Sequence, residues 1–143
     1  MIYLSDLMLT IFYAAFGILL MIVSNAVIDL FIPGDFAEEI RRGNRAVAWL
    51  SAGSFIGIGE ILRAVILSPV YEAAAPDFMQ GVLSSAVYAA LGIVCFILGF
   101  FVINLWHRKY ALAAEIQKGN TAAGILVFGI FVGLSLVISG AVH

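Results

Sequence analysis

Two stretches decide the fold: EIRRGNRAVAWLSAGSFIG at residues 39–57 and EIQKGNTAAGILVFGIFVG at residues 115–133. Set one over the other, Glu39, Ile40, Gly43, Asn44, Ala46, Gly53 and Gly57 fall on Glu115, Ile116, Gly119, Asn120, Ala122, Gly129 and Gly133, with a basic residue, Arg42 or Lys118, before each Gly-Asn. Upstream, YAAFGI from Tyr13 falls on YAALGI from Tyr88, and Asp29 on Asn104, at nearly the same offset. Ordered matches at a fixed offset mark an internal repeat. The expected organisation is a tandem of two helix–loop–helix units, about 7–67 and 82–142, related by an axis along the membrane normal.

Of the 143 residues, 64% are apolar and 11% charged. Soluble domains carry about 25% charged residues, so this is the composition of an integral membrane protein. Runs with few polar residues cover 10–28, 46–67, 82–105 and 121–142. About 20 helical residues, at about 1.5 Å rise each, cross the hydrocarbon core. Stretches such as FGILLMIV do not alternate polar with apolar residues, which excludes strands of a membrane barrel. The segment MIYLSDLML lacks Lys and Arg and carries Asp6, so the first run is expected to stay as a helix rather than be removed as a secretion signal. The fold class is therefore all-α, a single four-helix transmembrane domain over 1–143 as two tandem parallel repeats, with no room for a separate soluble catalytic domain.

Positive charge sets the orientation, because Lys and Arg beside spans resist translocation. Arg41, Arg42 and Arg45 lie between runs one and two, and Arg108, Lys109 and Lys118 between runs three and four. Both loops are expected in the cytoplasm, where they form a basic surface. Asp6, Glu72 and Asp77 lie on the opposite side, which carries both chain ends. A net charge of −2 gives no sign of nucleic-acid binding.

Within the repeated segment, Phe36, Ala37 and Ile40, like Leu112 and Ile116, space apolar side chains among charges, which predicts a short amphipathic stretch at the headgroups. Asn44 and Asn120 then stand where runs two and four begin. They read either as helix caps, the Asn oxygen satisfying an orphan amide, or as paired polar groups at the mouth of a path between the halves. Gly53 with Gly57, and Gly129 with Gly133, have the spacing that lets helices approach closely, which predicts that runs two and four form the central contact. Gly17, Gly92 and Gly99 are expected to serve the flanking helices in the same way.

Glu60 and Arg63, three apart on one face of run two, are the ion pair expected within the membrane. Charges there are costly and mark functional candidates, yet the pair can neutralise itself and Arg63 can reach outward to the interface. Asp29 is expected at the interface, within reach of Arg41 or Arg42, while the deeper Asn25 suits an interhelical hydrogen bond. Asn104 occupies the place of Asp29 in the second unit. His107 reads as an interfacial basic residue, and Trp49, Tyr71, Trp106 and Tyr110 as an aromatic belt. Cys95 is the one cysteine, so no disulfide or thiolate metal site can form within a chain. No phosphate-cradling glycine loop, His-Glu-x-x-His or G-x-S-x-G is present. Neither catalysis nor a cofactor nor a metal is expected.

The four short spans and the duplicated E-I-x-[RK]-G-N-x-A, above all Gly119-Asn120-Thr121-Ala122-Ala123-Gly124, resemble the small bacterial inner-membrane proteins of the YjfL type. The resemblance covers nearly the whole chain. It implies an inner-membrane location, no established activity, and a phage-shock-protein-A-like peripheral partner in envelope maintenance; with the orientation set by the positive charges, both ends are then expected in the periplasm. Glu60 and Arg63 are not part of that family pattern.

Two functions follow as expectations. One is an adaptor or structural subunit whose basic loops present a cytoplasmic surface to a peripheral partner and to anionic lipid. The other is a homo-oligomeric ion or small-solute pathway lined by Asn44, Asn120, Glu60 and Arg63, since four short helices in one copy cannot enclose a wide pore.

Overall fold

The computed structural model describes residues 4–68, 78–106, 109 and 111–142. Among these residues the chain forms only helices: α1 (Leu4–Phe31), α2 (Phe36–Arg41), α3 (Arg45–Ile66), α4 (Phe78–Trp106), α5 (Leu112–Gln117) and α6 (Thr121–Ala141). The expected runs thus lie within α1, α3, α4 and α6, give or take a residue at the ends. These four are each long and apolar enough to cross a membrane. The amphipathic stretches form α2 and α5, six residues each. They pin the core from one end: Phe36, Leu112 and Ile116 are buried, whereas Ile40 is exposed.

α3 lies at the centre, against α1, α4 and α6, and its pairing with α6 is the most extensive in the molecule. The order of their contacts, Gly53 on Phe128 and then Gly57 on the Phe131 carbonyl, shows that α3 and α6 run parallel. α1 and α4 run against α3: Asn25 meets Ser54 and Gly17 meets Leu62, while Phe96 meets Gly57 and Gly92 meets Ile61. Where α3, α4 and α6 converge, the Phe96 and Phe131 rings stack with centroids 4.8 Å apart. Half of the most apolar stretch of α3 is buried, against 6% for α1. α1 therefore presents nearly all its surface to its surroundings, as a helix in lipid can.

Close approach depends on the expected glycines in α3 and on a different one in α6. A Cβ at Gly53 would lie 2.8 Å from Phe128 Cα, and one at Gly57 would lie 2.5 Å from Phe96 Cζ. Those two positions are where α3 admits its neighbours. On the α6 side, Gly129 and Gly133 correct the expectation: nothing lies within 4 Å of a Cβ at either. Gly124 takes that role, since a Cβ there would overlap the Ala46 backbone. The physical reason is the crossing of the two helices, which turns Gly124 toward α3 and Gly129 and Gly133 outward. Gly92 and Gly99 behave as expected, each with space for a Cβ taken by an aliphatic side chain, Ile61 and Leu134 respectively, at 2.6 Å. Gly17 is looser, 3.7 Å from Leu62.

Candidate functional site

The repeated motif builds the same corner twice. Gly43 and Gly119 adopt φ of 82° and 80°, a left-handed conformation that L side chains rarely take, and so end α2 and α5. Their amides donate to the Ile40 and Ile116 carbonyls, and the Asn44 and Asn120 amides donate to the Glu39 and Glu115 carbonyls. Each Asn then caps the next helix. Asn44 Oδ1 accepts from the amides of Ala46 and Val47, and Asn120 Oδ1 from that of Ala122. Each Asn Nδ2 donates to the glutamate of its own motif, Glu39 Oε2 or Glu115 Oε2, at 2.8 Å. The Glu at the head of the motif is thereby explained, a role that the sequence signals only through its repetition. Asn120, with Lys118 second, holds the Glu115 carboxyl below its ordinary range.

Upstream, Asp29 Oδ1 accepts from the Phe36 amide at 3.0 Å and Asn104 Oδ1 from the Ala113 amide at 3.4 Å. Both side chains tie the end of a long helix to the start of a short one. This replaces the expected pairing of Asp29 with Arg41 or Arg42, because both arginines pair with Glu38, at 2.9 and 3.1 Å. A carboxylate three or four residues away on the same turn is nearer than one at the end of α1.

The two corners differ in surroundings. Asn44 is buried, and its Nδ2 also donates to the Ile116 carbonyl at 2.9 Å. Asn120 is exposed and borders a hollow of about 220 Å³ lined by Glu115, Asn120, Ala122, Ala123 and Leu126. The Asn44 side chain reaches the residue before Asn120, a Cβ at Gly119 lying 3.8 Å from Asn44 Oδ1, so the two corners adjoin although one Asn is buried and the other exposed. Both are helix caps, and one of them also fastens the second corner to the first.

Near the far end of α3, Arg63 grips Glu60 through Nε at 2.8 Å and Nη2 at 2.7 Å. Ser139 Oγ donates to Glu60 Oε1 at 3.3 Å, which joins the pair to α6. The Arg63 side chain remains 60% exposed. Asn25 accepts from Ser54 at 3.2 Å, the interhelical bond expected of it. Sequence reasoning missed Ser139 and two buried hydroxyls, Ser51 and Ser85, which have no partner among the described residues. Nothing in a serine's spacing announces either.

The basic surface carries its own counter-charge. Besides the pairs on Glu38, Arg42 reaches Glu39 at 3.7 Å and Lys118 reaches Glu115 at 2.9 Å. Arg45, Lys109 and Lys118 are exposed. The patch is mixed in sign rather than uniformly basic. Trp106 is exposed at the end of α4, and Trp49 packs edge-on to Phe128, ring centroids 5.2 Å apart. Tyr71, Glu72, Asp77, His107, Arg108 and Tyr110 lie outside the described residues.

Residues 1–142 match the family described as Domain of Unknown Function (DUF350), and the chain belongs to that family. It is 25% identical over 130 residues to the UPF0719 transmembrane protein YshE of Bacillus subtilis (strain 168), covering 91% of this chain and 90% of that protein. It is 26% identical over 108 residues to a UPF0719 transmembrane protein of Aquifex aeolicus (strain VF5), covering 76% of this chain but 38% of that longer one. No solved structure matches. With four helices able to cross a membrane and relatives named as transmembrane proteins, the chain is a multi-pass membrane protein.

Proposed function

We propose that this DUF350 protein, of the YjfL type, is a non-catalytic subunit of the bacterial inner (plasma) membrane. It works as an adaptor that holds a peripheral protein at the cytoplasmic face. In this reading the chain is a tandem duplication of one helix–corner–helix unit, both ends lie in the periplasm, and copies assemble into a homo-oligomer. The matching hydrogen bonds of the two Gly-Asn corners support the duplication.

One observation carries the adaptor reading. The four candidates Asn25, Asp29, Glu60 and Asn104 each bond within the chain, whereas Arg41 and Arg42, although paired with Glu38, stand 78% and 67% exposed at the corner end. Polar groups already partnered hold helices together; exposed charges at one end are available to a partner. Because Asp35, Glu38 and Glu39 accompany the arginines, the patch suits a protein of complementary mixed charge better than bare anionic lipid, which calls for a cluster of about 4–8 uncompensated basic residues. A peripheral protein resembling phage-shock protein A is the partner to test. Tagged parent protein is expected to retain it on purification from membranes, and Arg41→Gln with Arg42→Gln and Lys118→Gln to lose it. Equal retention by the variant overturns the reading.

Exposure of Arg63 favours a second reading, an oligomeric path for ions or small solutes with the Glu60–Arg63 pair on its wall.

A further inference from the structure

The contact that fastens the two corners together has a vacant duplicate on the surface. Ile116 is fully buried, its carbonyl accepts from Asn44, and Gly124 lies on the Ala46 backbone. At the same offset in the sequence stand Ile40, Asn120, Ala48 and Ala122, and all four are exposed, Ile40 to 46%. Leu50 is fully buried; its counterpart Leu126 is exposed and lines the hollow beside Asn120. Asn120 Nδ2 has one acceptor among the described residues, Glu115, where Asn44 Nδ2 has Glu39 and the carbonyls of Ile116 and Gln117. One half of the molecule thus carries an open socket and the other an unused plug, each the repeat of a part already engaged inside the chain.

We propose that a second copy of this chain fills the socket. The end of its α2 docks beside Asn120, with Ile40 entering the hollow over Ala122, Ala123 and Leu126, and with the Ile40 carbonyl accepting the remaining Asn120 N–H. Two features select this occupant. The E-I-x-[RK]-G-N segment already covers such a helix start within the chain, through Ile116 and Asn44. The hollow is walled by alanines and a leucine, which suits an aliphatic plug. Since each chain has both socket and plug, a two-fold pair satisfies both contacts at once, as an isologous interface requires. This gives the proposed homo-oligomer a specific contact and is independent of whichever protein the corner recruits.

Disulfide trapping in native membranes tests it. In a Cys95→Ser background, copies carrying Ile40→Cys under one tag are co-expressed with copies carrying Ala122→Cys under another, and mild oxidation is applied. Both positions are exposed, so neither substitution removes a packed side chain. The expected product carries both tags at about twice the 15.3 kDa chain mass. It should disappear when either cysteine is omitted and when Leu126→Trp fills the socket. The proposal is overturned if no mixed product forms, if Val137→Cys, exposed toward the other end of α6, traps Ile40→Cys as well as Ala122→Cys does, or if a chain bearing both cysteines closes on itself instead. Recruitment of a peripheral protein can fail while this product forms, so the two proposals are separable.

Discussion

Asn44 donates through Nδ2 to the carbonyl of Ile116 at 2.9 Å, a bond across 72 residues that ties the first Gly-Asn corner to the second. Asn120, at the same place in the repeated motif, makes no such bond among the described residues. The same six-residue motif thus serves as a cap in both halves and as an interior fastener in only one.

Unequal losses should follow on substitution. Asn120→Ala removes an exposed cap and is expected to cost about 1 kcal/mol. Asn44→Ala removes a cap and also leaves a buried carbonyl with one partner fewer, so about 2–4 kcal/mol is expected. Thermal unfolding in detergent compares them. Equal shifts in Tm for the two variants would contradict the asymmetry.

The glycines divide in the same way. Gly124→Ala must push α6 off the Ala46 backbone and is expected to destabilise by about 1–3 kcal/mol, the usual range for overpacking. Gly129→Ala and Gly133→Ala meet open space and should leave Tm unchanged or raise it slightly, since alanine favours helix. A Gly133→Ala variant that unfolds as early as Gly124→Ala is the result that defeats this assignment.

Acid should act on the second corner through Glu115. Its folded pKa is lowered by Asn120 and then Lys118, so folding favours the ionised form. Stability from this source is complete above the ordinary carboxylate pKa of about 4.3 and is lost as pH falls through the lower folded value. The parent should therefore melt above Glu115→Gln at neutral pH, and the gap should close in acid. A gap that widens on acidification would reverse the sign and sink the assignment.

Much of this was legible in the sequence, and the parts that were not share a cause. Four spans follow from apolar runs of about twenty residues, whose length no other structure in a bilayer explains. The caps at Asn44 and Asn120 and the i, i+3 pair of Glu60 and Arg63 are local, so spacing alone finds them. Which copy of the motif is covered, whether Gly124 or Gly133 faces α3, and that Ser139 reaches Glu60 all depend on how α6 crosses α3. Two matched stretches carry no information on that crossing, because they read alike in both halves. Asp29 illustrates the converse: its acceptor oxygen went to a backbone amide seven residues on, which a search for opposite charges overlooks.

Flux into liposomes carrying the purified protein tests the central claim, that the polar groups within the spans hold the bundle together rather than line a path. Parent protein is compared with Glu60→Gln and Arg63→Gln at matched incorporation, across a broad panel of ions and small solutes. The expected result is permeability no greater than that of protein-free liposomes in all three preparations. Parent flux that either substitution raises or abolishes would contradict the account and place the pair on a pathway.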